Sequence, residues 1–189
     1  MINLDEAVKM MKLTDVERWV IVPVTRRQSV ADHSYRVWVL ALSLYDAMVT
    51  VPHNSFERES VGYWALTHDV DEIWTGDLPS TVKDVLEELH PGIVKRLTEH
   101  ILNKHLPTVA GTMRGLENTF AAQVVKIADC VEALTYYLRY SYNNRDKAVI
   151  EGFLRMKLHE AVSGASKKYP AAGITNVALE WVSQALEKI

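Results

Sequence analysis

The sequence predicts an all-α fold, organised as a single domain over residues 1–189. Three observations support this prediction. Apolar residues recur at helical spacing in one segment after another. The one β-branched stretch, at residues 18–27, is broken by Pro23 and indicates an extended loop rather than a strand of a sheet. No repeat, low-complexity tract or linker divides the chain, which is long enough for one sizeable core.

The N-terminal half contains four predicted helices, each defined by an apolar stripe or a capping residue. In chain order they cover residues 4–12, Val30 to about Met48, Glu57–Asp69, and a segment N-capped by Ser80 or Thr81. Loops are predicted at Pro52–Ser55 and Trp74–Ser80, where prolines, glycine and other turn-forming residues gather.

The C-terminal half is predicted to be helical around one long central helix. In chain order we expect a helix from Pro91 to about Leu106, a flexible loop at Thr108–Gly115, the long helix Leu116–Tyr142, and two closing helices at residues 146–164 and 173–188. His100 and His105 are five residues apart and fall on different helix faces. This spacing favours a solvated surface over a metal cluster.

Three of these helices carry polar residues on faces that should be apolar. His33 begins the stripe of the second helix, and His68 lies on the buried face of the third, directly before Asp69. Asp129 interrupts the stripe of the long helix. A lone histidine in such a place is more often a packed core residue, but a buried aspartate needs a partner. Two imidazoles and two carboxylates suit a divalent transition metal such as Mn, Co, Fe, Ni or Zn.

Composition excludes several other classes of function. The net charge of −3 argues against bulk attraction to a nucleic-acid polymer or to an anionic membrane. No stretch approaches the ~18 apolar residues of a membrane span, and the first residues do not resemble a signal peptide. The single cysteine, Cys130, cannot form an intramolecular disulfide, which suits a reducing compartment. We therefore expect a cytoplasmic protein.

The order His33, His68-Asp69, Asp129 resembles that of the HD-domain metal-dependent phosphohydrolases. This resemblance implies an HD-domain helical bundle with the metal site in its core. Further motifs resemble one branch, the YfbR-like 5′-deoxynucleotidases and the related phage dATP triphosphohydrolases. They are Arg18-Trp19, Gln28 to Ser34, His68-Asp69 through Glu72, Thr75-Gly76-Asp77-Leu78-Pro79, Lys83, and Lys126-x-x-Asp129. Val70-Asp71 departs from the pattern of these relatives but leaves the metal set intact.

The resemblance assigns a metal site and two catalytic residues. The implied metal ligands are His33, His68, Asp69 and Asp129. The expected ion is Co, Mn or Zn, with Mg as a further candidate; it would polarise the phosphate and lower the pKa of a bound water. Glu72 would orient or deprotonate the attacking water. Asp77 would help the chemistry or hold the sugar 3′ hydroxyl.

The resemblance also assigns the substrate contacts. Arg18 would bind phosphate through its planar set of donors. Trp19 would pack against the sugar and leave no room for a 2′ hydroxyl, which favours deoxyribose. Lys83 would add positive charge near the phosphate oxygens. Lys126 is a second candidate for that role, and a solvated helix lysine is an equally good interpretation of it.

Three functions remain open at this stage. The first is 5′-deoxynucleotidase activity on deoxynucleoside monophosphates. The second is a phage triphosphohydrolase that converts dATP, dADP or dAMP to deoxyadenosine and depletes dATP for 2-aminoadenine genomes; Arg26, Arg27 and Lys83 could supply its extra cations. The third is a non-catalytic nucleotide sensor, against which intact Glu72 and Asp77 argue. In each case the expected partner is a deoxynucleotide, and relatives imply a homodimer or larger homo-oligomer.

Overall fold

The fold is all-α, as predicted, in a computed structural model that describes residues 2–48, 55–143, 145–170 and 174–188. Its α-helices are α1 (Leu4–Met10), α2 (Val30–Met48), α3 (Ser55–Thr67), α4 (Glu72–Thr75), α5 (Ser80–Leu89), α6 (Ile93–His105), α7 (Pro107–Leu116), α8 (Phe120–Tyr140), α9 (Lys147–Lys168) and α10 (Ile174–Glu187). A 3₁₀ helix, Met11–Asp15, follows α1. None of the helices in these ranges is long and apolar enough to cross a membrane.

The two short strands form an antiparallel ribbon beside the helices. β1 (Glu17–Arg18) pairs with β2 (Gln28–Ser29), with Arg18 opposite Gln28. Residues 19–27 form the loop between these strands, as predicted, but the prediction is wrong for Arg18, which belongs to β1. The ribbon places this loop next to the start of α2, because β2 continues directly into that helix.

The main core lies between α2, α3 and α8, with α9 and α10 packed over it. The apolar stripes predicted from the sequence face one another here. Val37, Leu44, Val61, Val131 and Leu134 are fully buried. The two closing helices thus cover this core as expected, and α8 contributes to it over most of its length.

A second apolar cluster packs beneath the 3₁₀ helix and the first turn of α2, where α6 and α7 meet. The predicted loop at Thr108–Gly115 is wrong, because these residues belong to α7. Pro107 stands in the first turn of α7, where its missing N–H costs nothing. Val109, Ala110 and Met113 are buried in the cluster, and this burial outweighs the low helix propensity of the two glycines in the segment.

The segment after His68-Asp69 also differs from the prediction. Trp74 and Thr75 belong to α4, so the loop is shorter than expected. Pro79, not Ser80 or Thr81, occupies the N-cap position of α5, so that predicted cap is wrong. Gly76 ends α4 with a φ of 70°, a conformation that side chains disfavour. Of the other predicted loop, residues 52–54 lie outside the described residues, and Ser55 begins α3.

Candidate metal centre and active site

The four predicted metal ligands meet at one point between the two clusters. α2 supplies His33, the turn that follows α3 supplies His68 and Asp69, so the predicted helix to Asp69 ends two residues early, and the middle of α8 supplies Asp129. The Nε2 atom of His33 lies 3.4 Å from Asp69 Oδ2 and 3.2 Å from Asp129 Oδ1. The Nε2 atom of His68 lies 3.3 Å from Asp69 Oδ2. Two imidazole nitrogens and two carboxylates therefore converge, and these four side chains are here called the cluster.

Hydrogen bonds at the far side of each imidazole fix which nitrogen faces the cluster. His68 Nδ1–H donates to the carbonyl of Ala65 at 2.8 Å, since a carbonyl can only accept. His33 Nδ1–H donates to Glu132 Oε2 at 2.7 Å. Both Nε2 atoms are buried and have no hydrogen-bond partner among the described residues. Paired imidazole nitrogens held in this way, with carboxylates beside them, fit a divalent cation.

The charges in the cluster are strongly coupled. Burial and the charge of Arg18 lower the pKa of His33, but three carboxylates raise it well above its usual value overall. These carboxylates belong to Glu132, Asp129 and Asp69. Burial raises the pKa of Asp69 and of Asp129, yet the neighbouring imidazoles leave both values below the usual range. The aspartates are thus held ionised, as ligands of a cation must be.

The cluster opens to solvent on its carboxylate side. The side chain of His33 is fully buried, whereas those of Asp69 and Asp129 are 21% and 35% exposed. The prediction that Asp129 is buried is therefore wrong: it lies at the edge of the core, where α8 passes the opening. A ligand can approach the cluster from this side.

Glu72 lies beside the cluster and is almost completely buried, at 3% exposure. Lys83 Nζ, from α5, lies 3.4 Å from Glu72 Oε1, while Oε2 has no hydrogen-bond partner among the described residues. Burial and Asp69 raise the pKa of Glu72 to about 9, even though Lys83 and Arg18 lower it. A cation in the cluster would offset the charge of Asp69 and so favour the ionised form of Glu72.

Asp77 and Lys83 border the same region from the segment that follows Glu72. Asp77 is half-buried after Gly76, and its charge adds to the raised pKa of Glu72. Lys83 is partly exposed. A cavity of about 90 Å³ lies between Glu72, Lys83 and His68, and a larger one of about 430 Å³ begins at His68 and Lys83.

Arg18 and Trp19 approach the cluster from the ribbon. Arg18 Nη1 lies 3.5 Å from Glu132 Oε2, and Arg18 Nε is buried without a hydrogen-bond partner among the described residues. Trp19 has a φ of 62°, in the left-handed region. Its indole N–H donates to Gln28 Oε1 at 3.1 Å, and its ring stacks on that of Tyr136.

Glu132 is the site residue that sequence reasoning missed. It is 1% exposed and accepts hydrogen bonds from His33 and from the side-chain amide of Gln28, the latter at 2.7 Å. Gln28 belongs to a matched motif but had no role assigned. The available signal was spacing, because Glu132 lies three residues after Asp129 and therefore on the same face of α8.

Three other residues weighed in the sequence do not join the cluster. His100 is exposed, as predicted, but His105 is half-buried and stacks on Trp74 with ring centroids 4.6 Å apart. The solvated-surface interpretation is therefore wrong for His105, which packs against α4. Lys126 is exposed on α8, which agrees with the interpretation of a solvated helix lysine.

Comparisons with known proteins agree with this architecture. Residues 7–146 match the family described as 5′-deoxynucleotidase YfbR-like. The dATP triphosphohydrolase of Salmonella phage PMBT28 is 29% identical over 136 residues, which are 69% of this chain and 65% of that protein. The dATP triphosphohydrolase of cyanophage S-2L is 31% identical over 101 residues, 53% of this chain and 56% of that protein. These matches thus span between half and two thirds of each relative.

A solved structure matches over almost the whole chain. It is the cyanophage S-2L HD phosphohydrolase DatZ, bound to dA and one catalytic Zn²⁺. The TM-score is 0.80, the sequence identity is 21%, and the match covers 99% of both chains. At this identity the likeness establishes the HD-domain fold.

Proposed function

Because this chain belongs to the YfbR-like 5′-deoxynucleotidase family, we propose that it is a divalent-metal-dependent phosphohydrolase of 2′-deoxynucleotides. Its principal reaction is the conversion of a deoxynucleoside monophosphate to a deoxynucleoside and phosphate. One observation carries the proposal: two buried imidazole nitrogens without hydrogen-bond partners among the described residues face the carboxylates of Asp69 and Asp129. Buried polar atoms without partners are costly, and a bound cation would satisfy them.

The proposed ligands of the cation are His33, His68, Asp69 and Asp129. When bound, a divalent cation polarises the phosphate and lowers the pKa of a water molecule. The Zn²⁺ in DatZ supports Zn²⁺ as one candidate for this chain, beside Co²⁺ and Mn²⁺, with Mg²⁺ as a further candidate. The nitrogen ligands favour the transition ions over Mg²⁺, which prefers oxygen.

The residues around the cation site have the remaining roles in catalysis and substrate binding. Glu72 accepts the proton of the attacking water at its unpartnered Oε2, and Lys83 holds Oε1. Arg18 directs its unpartnered Nε–H towards a phosphate oxygen. Asp77 helps the chemistry or holds the 3′ hydroxyl. Trp19, fixed on Tyr136, forms the wall that leaves no room for a 2′ hydroxyl.

Replacing a ligand tests the proposal directly. His68→Ala and Asp69→Ala should each remove bound metal, measured by elemental analysis, and phosphate release from deoxynucleoside monophosphates. Circular dichroism should stay helical. His159→Ala is the matched control, because His159 is exposed on α9, outside the metal cluster. Full activity in a ligand variant that holds no metal would rule out this mechanism.

A second candidate is a dATP triphosphohydrolase that releases deoxyadenosine and depletes dATP. Both phage relatives described above carry that name. The exposed Arg26 and Arg27, in the loop after Trp19, could meet additional phosphates. Incubation with each dNMP, dNTP and rNMP in the presence of Co²⁺, Mn²⁺, Zn²⁺ or Mg²⁺ separates the candidates. Phosphate from all dNMPs indicates the nucleotidase, deoxyadenosine from dATP alone indicates the triphosphohydrolase, and no turnover indicates a nucleotide sensor.

The homo-oligomer stays a prediction. It is tested by light scattering coupled to gel filtration, which gives the mass of the assembly relative to the 21.4 kDa chain.

A further inference from the structure

A continuous chain of side-chain hydrogen bonds joins the loop that carries Trp19 to the metal cluster. The indole N–H of Trp19 donates to Gln28 Oε1 at 3.1 Å, and Gln28 Nε2–H donates to Glu132 Oε1 at 2.7 Å. The other oxygen of Glu132 accepts from His33 Nδ1–H at 2.7 Å. The links join residues 9, 104 and 99 positions apart in sequence, so the chain exists only in the folded protein.

Every orientation in this chain is determined by its neighbours. The indole N–H of Trp19 can only donate, so the amide of Gln28 must place its oxygen towards Trp19 and its nitrogen towards Glu132 Oε1, which accepts the second bond. A flipped amide would oppose donor to donor and oxygen to oxygen. Gln28 and Glu132 are each 1% exposed, so water cannot substitute for either partner.

Glu132 lies behind His33 rather than within the cluster of His and Asp side chains. Glu132 contacts Nδ1 of His33, whereas Asp69 and Asp129 lie beside Nε2 on the opposite side of the ring. Its cationic neighbour Arg18, at 3.5 Å, helps to compensate its charge. A fully buried carboxylate is costly unless it is compensated in this way, and the side chain of Glu132 contacts Arg18, Gln28 and His33.

We propose that Glu132 and Gln28 are positioning residues that hold His33 and Trp19 in one fixed relative arrangement. Glu132 fixes the imidazole of His33 so that Nε2 faces the cation site, and Gln28 transmits that position to the indole ring. The distance between the cation and the wall beside the sugar is thereby set by one rigid network. The substrate-selectivity part of this inference rests on the proposed function, whereas the part on metal affinity does not.

A Zn²⁺-binding experiment tests the role of Glu132 without substrate. Glu132→Gln turns one of the two acceptor oxygens into a donor, so the bond to His33 or the bond to Gln28 must be lost. Zn²⁺ affinity, measured by chelator competition, should fall about 10- to 100-fold, as for other residues that orient a metal-bound histidine. Glu160→Gln, exposed on α9, is the matched control and should bind Zn²⁺ like the wild type. Unchanged Zn²⁺ affinity in folded Glu132→Gln would overturn the role of Glu132.

The selectivity arm uses milder changes and does not depend on whether Glu132→Gln folds. Gln28→Met keeps the side-chain length but removes both hydrogen bonds of the Gln28 amide. Trp19→Phe removes only the hydrogen bond that the indole N–H donates to Gln28. Each variant should bind dAMP less selectively over AMP, and its kcat/KM for dNMPs relative to rNMPs should fall likewise. Both ratios should drop about fivefold to tenfold, the size expected for one hydrogen bond. The double variant should lose no more than the larger single effect, because both changes break the same chain.

Two outcomes would overturn the link between Gln28 and Trp19. One is unchanged selectivity in Gln28→Met, and the other is a double variant in which the two losses multiply. Gln184→Met, an exposed position on α10, controls for the substitution itself. A wild-type protein that neither binds nor hydrolyses deoxynucleotides would refute the proposed function and with it the selectivity arm. The Zn²⁺ measurement would still decide the role of Glu132.

Discussion

The indole ring of Trp19 lies nearly parallel to the phenol ring of Tyr136, with centroids 5.8 Å apart and an angle of 8° between the planes. The backbone of Trp19 is left-handed, with a φ of 62°, which costs a residue with a bulky side chain on the order of 1–3 kcal/mol. The stacking and the hydrogen bond to Gln28 stabilise this conformation. The ring is therefore held in one fixed position, which an unstrained loop would not adopt.

This relationship predicts the effect of removing the ring. Trp19→Ala should admit the 2′ hydroxyl and raise rNMP turnover relative to dNMP turnover by about tenfold or more, a change typical of altered pocket contacts. The measurement is kcat/KM for dAMP and AMP under identical metal conditions. An alanine variant that still hydrolyses dAMP and still rejects AMP would show that the selectivity has another source.

Lys83 allows a test of how Glu72 is tuned. The positive charge of Lys83 lowers the pKa of Glu72, against the larger effects of burial and Asp69. Lys83→Met should therefore raise the pKa of Glu72 and move the acidic limb of the kcat/KM profile to higher pH, because more hydroxide is needed to ionise the base. Lys83→Arg should leave the limb near its wild-type position.

The control for this profile is Lys167→Met, since Lys167 is exposed on α9, outside the site. It should reproduce the wild-type curve. If the acidic limb is the same in the Lys83→Met variant and the wild type, Lys83 does not act on the group that titrates there.

Metal binding should be visible as thermal stabilisation. A ligand that binds only the folded state stabilises it by about 2.7 kcal/mol at a hundredfold excess over its Kd. The Tm of the metal-free protein should thus rise steadily with the logarithm of Zn²⁺ concentration. His68→Ala should abolish most of that rise, whereas His159→Ala should keep it. An equal rise in both variants would place the stabilising ion elsewhere on the protein.

The sequence allowed the cluster of His and Asp side chains to be predicted because its members break a local pattern. His33 and Asp129 stand in apolar helical stripes, and such interruptions are visible without knowing which helices pack together. The family resemblance then supplied Glu72 and Arg18, which the structure places beside the cluster. The helices of the main core were predictable for the same reason, since their stripes repeat over several turns.

Glu132 and α7 could not be predicted in that way. A glutamate in a helix is ordinarily solvated, and only contacts with His33 and Gln28, about a hundred residues away in sequence, make Glu132 part of the site. α7 has two glycines and a proline, which locally favour a loop. Its helix forms because Val109 and Met113 are buried against residues distant in the sequence.

A last prediction concerns stability at a point remote from the metal. Glu6 is 1% exposed, and its Oε1 accepts a hydrogen bond from the backbone N–H of Thr108 in the first turn of α7, at 2.8 Å. Burial raises the pKa of Glu6, but the backbone donors of Thr108, Asn3 and Val109 leave it lowered overall. The folded state thus favours the ionised carboxylate, which also complements the helix dipole of α7.

Glu6→Gln should therefore lower the free energy of unfolding by about 1–2 kcal/mol at pH 7, measured by urea denaturation. Because the pKa of Glu6 is lower in the folded state, ionisation stabilises the fold at any pH above the pKa of the unfolded state, about 4.3 for glutamate. This contribution is lost as the pH falls through the pKa of the folded state. The difference in unfolding free energy between the wild type and the variant should accordingly become smaller below about pH 4.3. Glu88→Gln, exposed on α5, should show no such difference. If this difference in unfolding free energy stays the same at acidic pH, the shape of the Glu6 side chain, rather than its charge, holds α1 against α7.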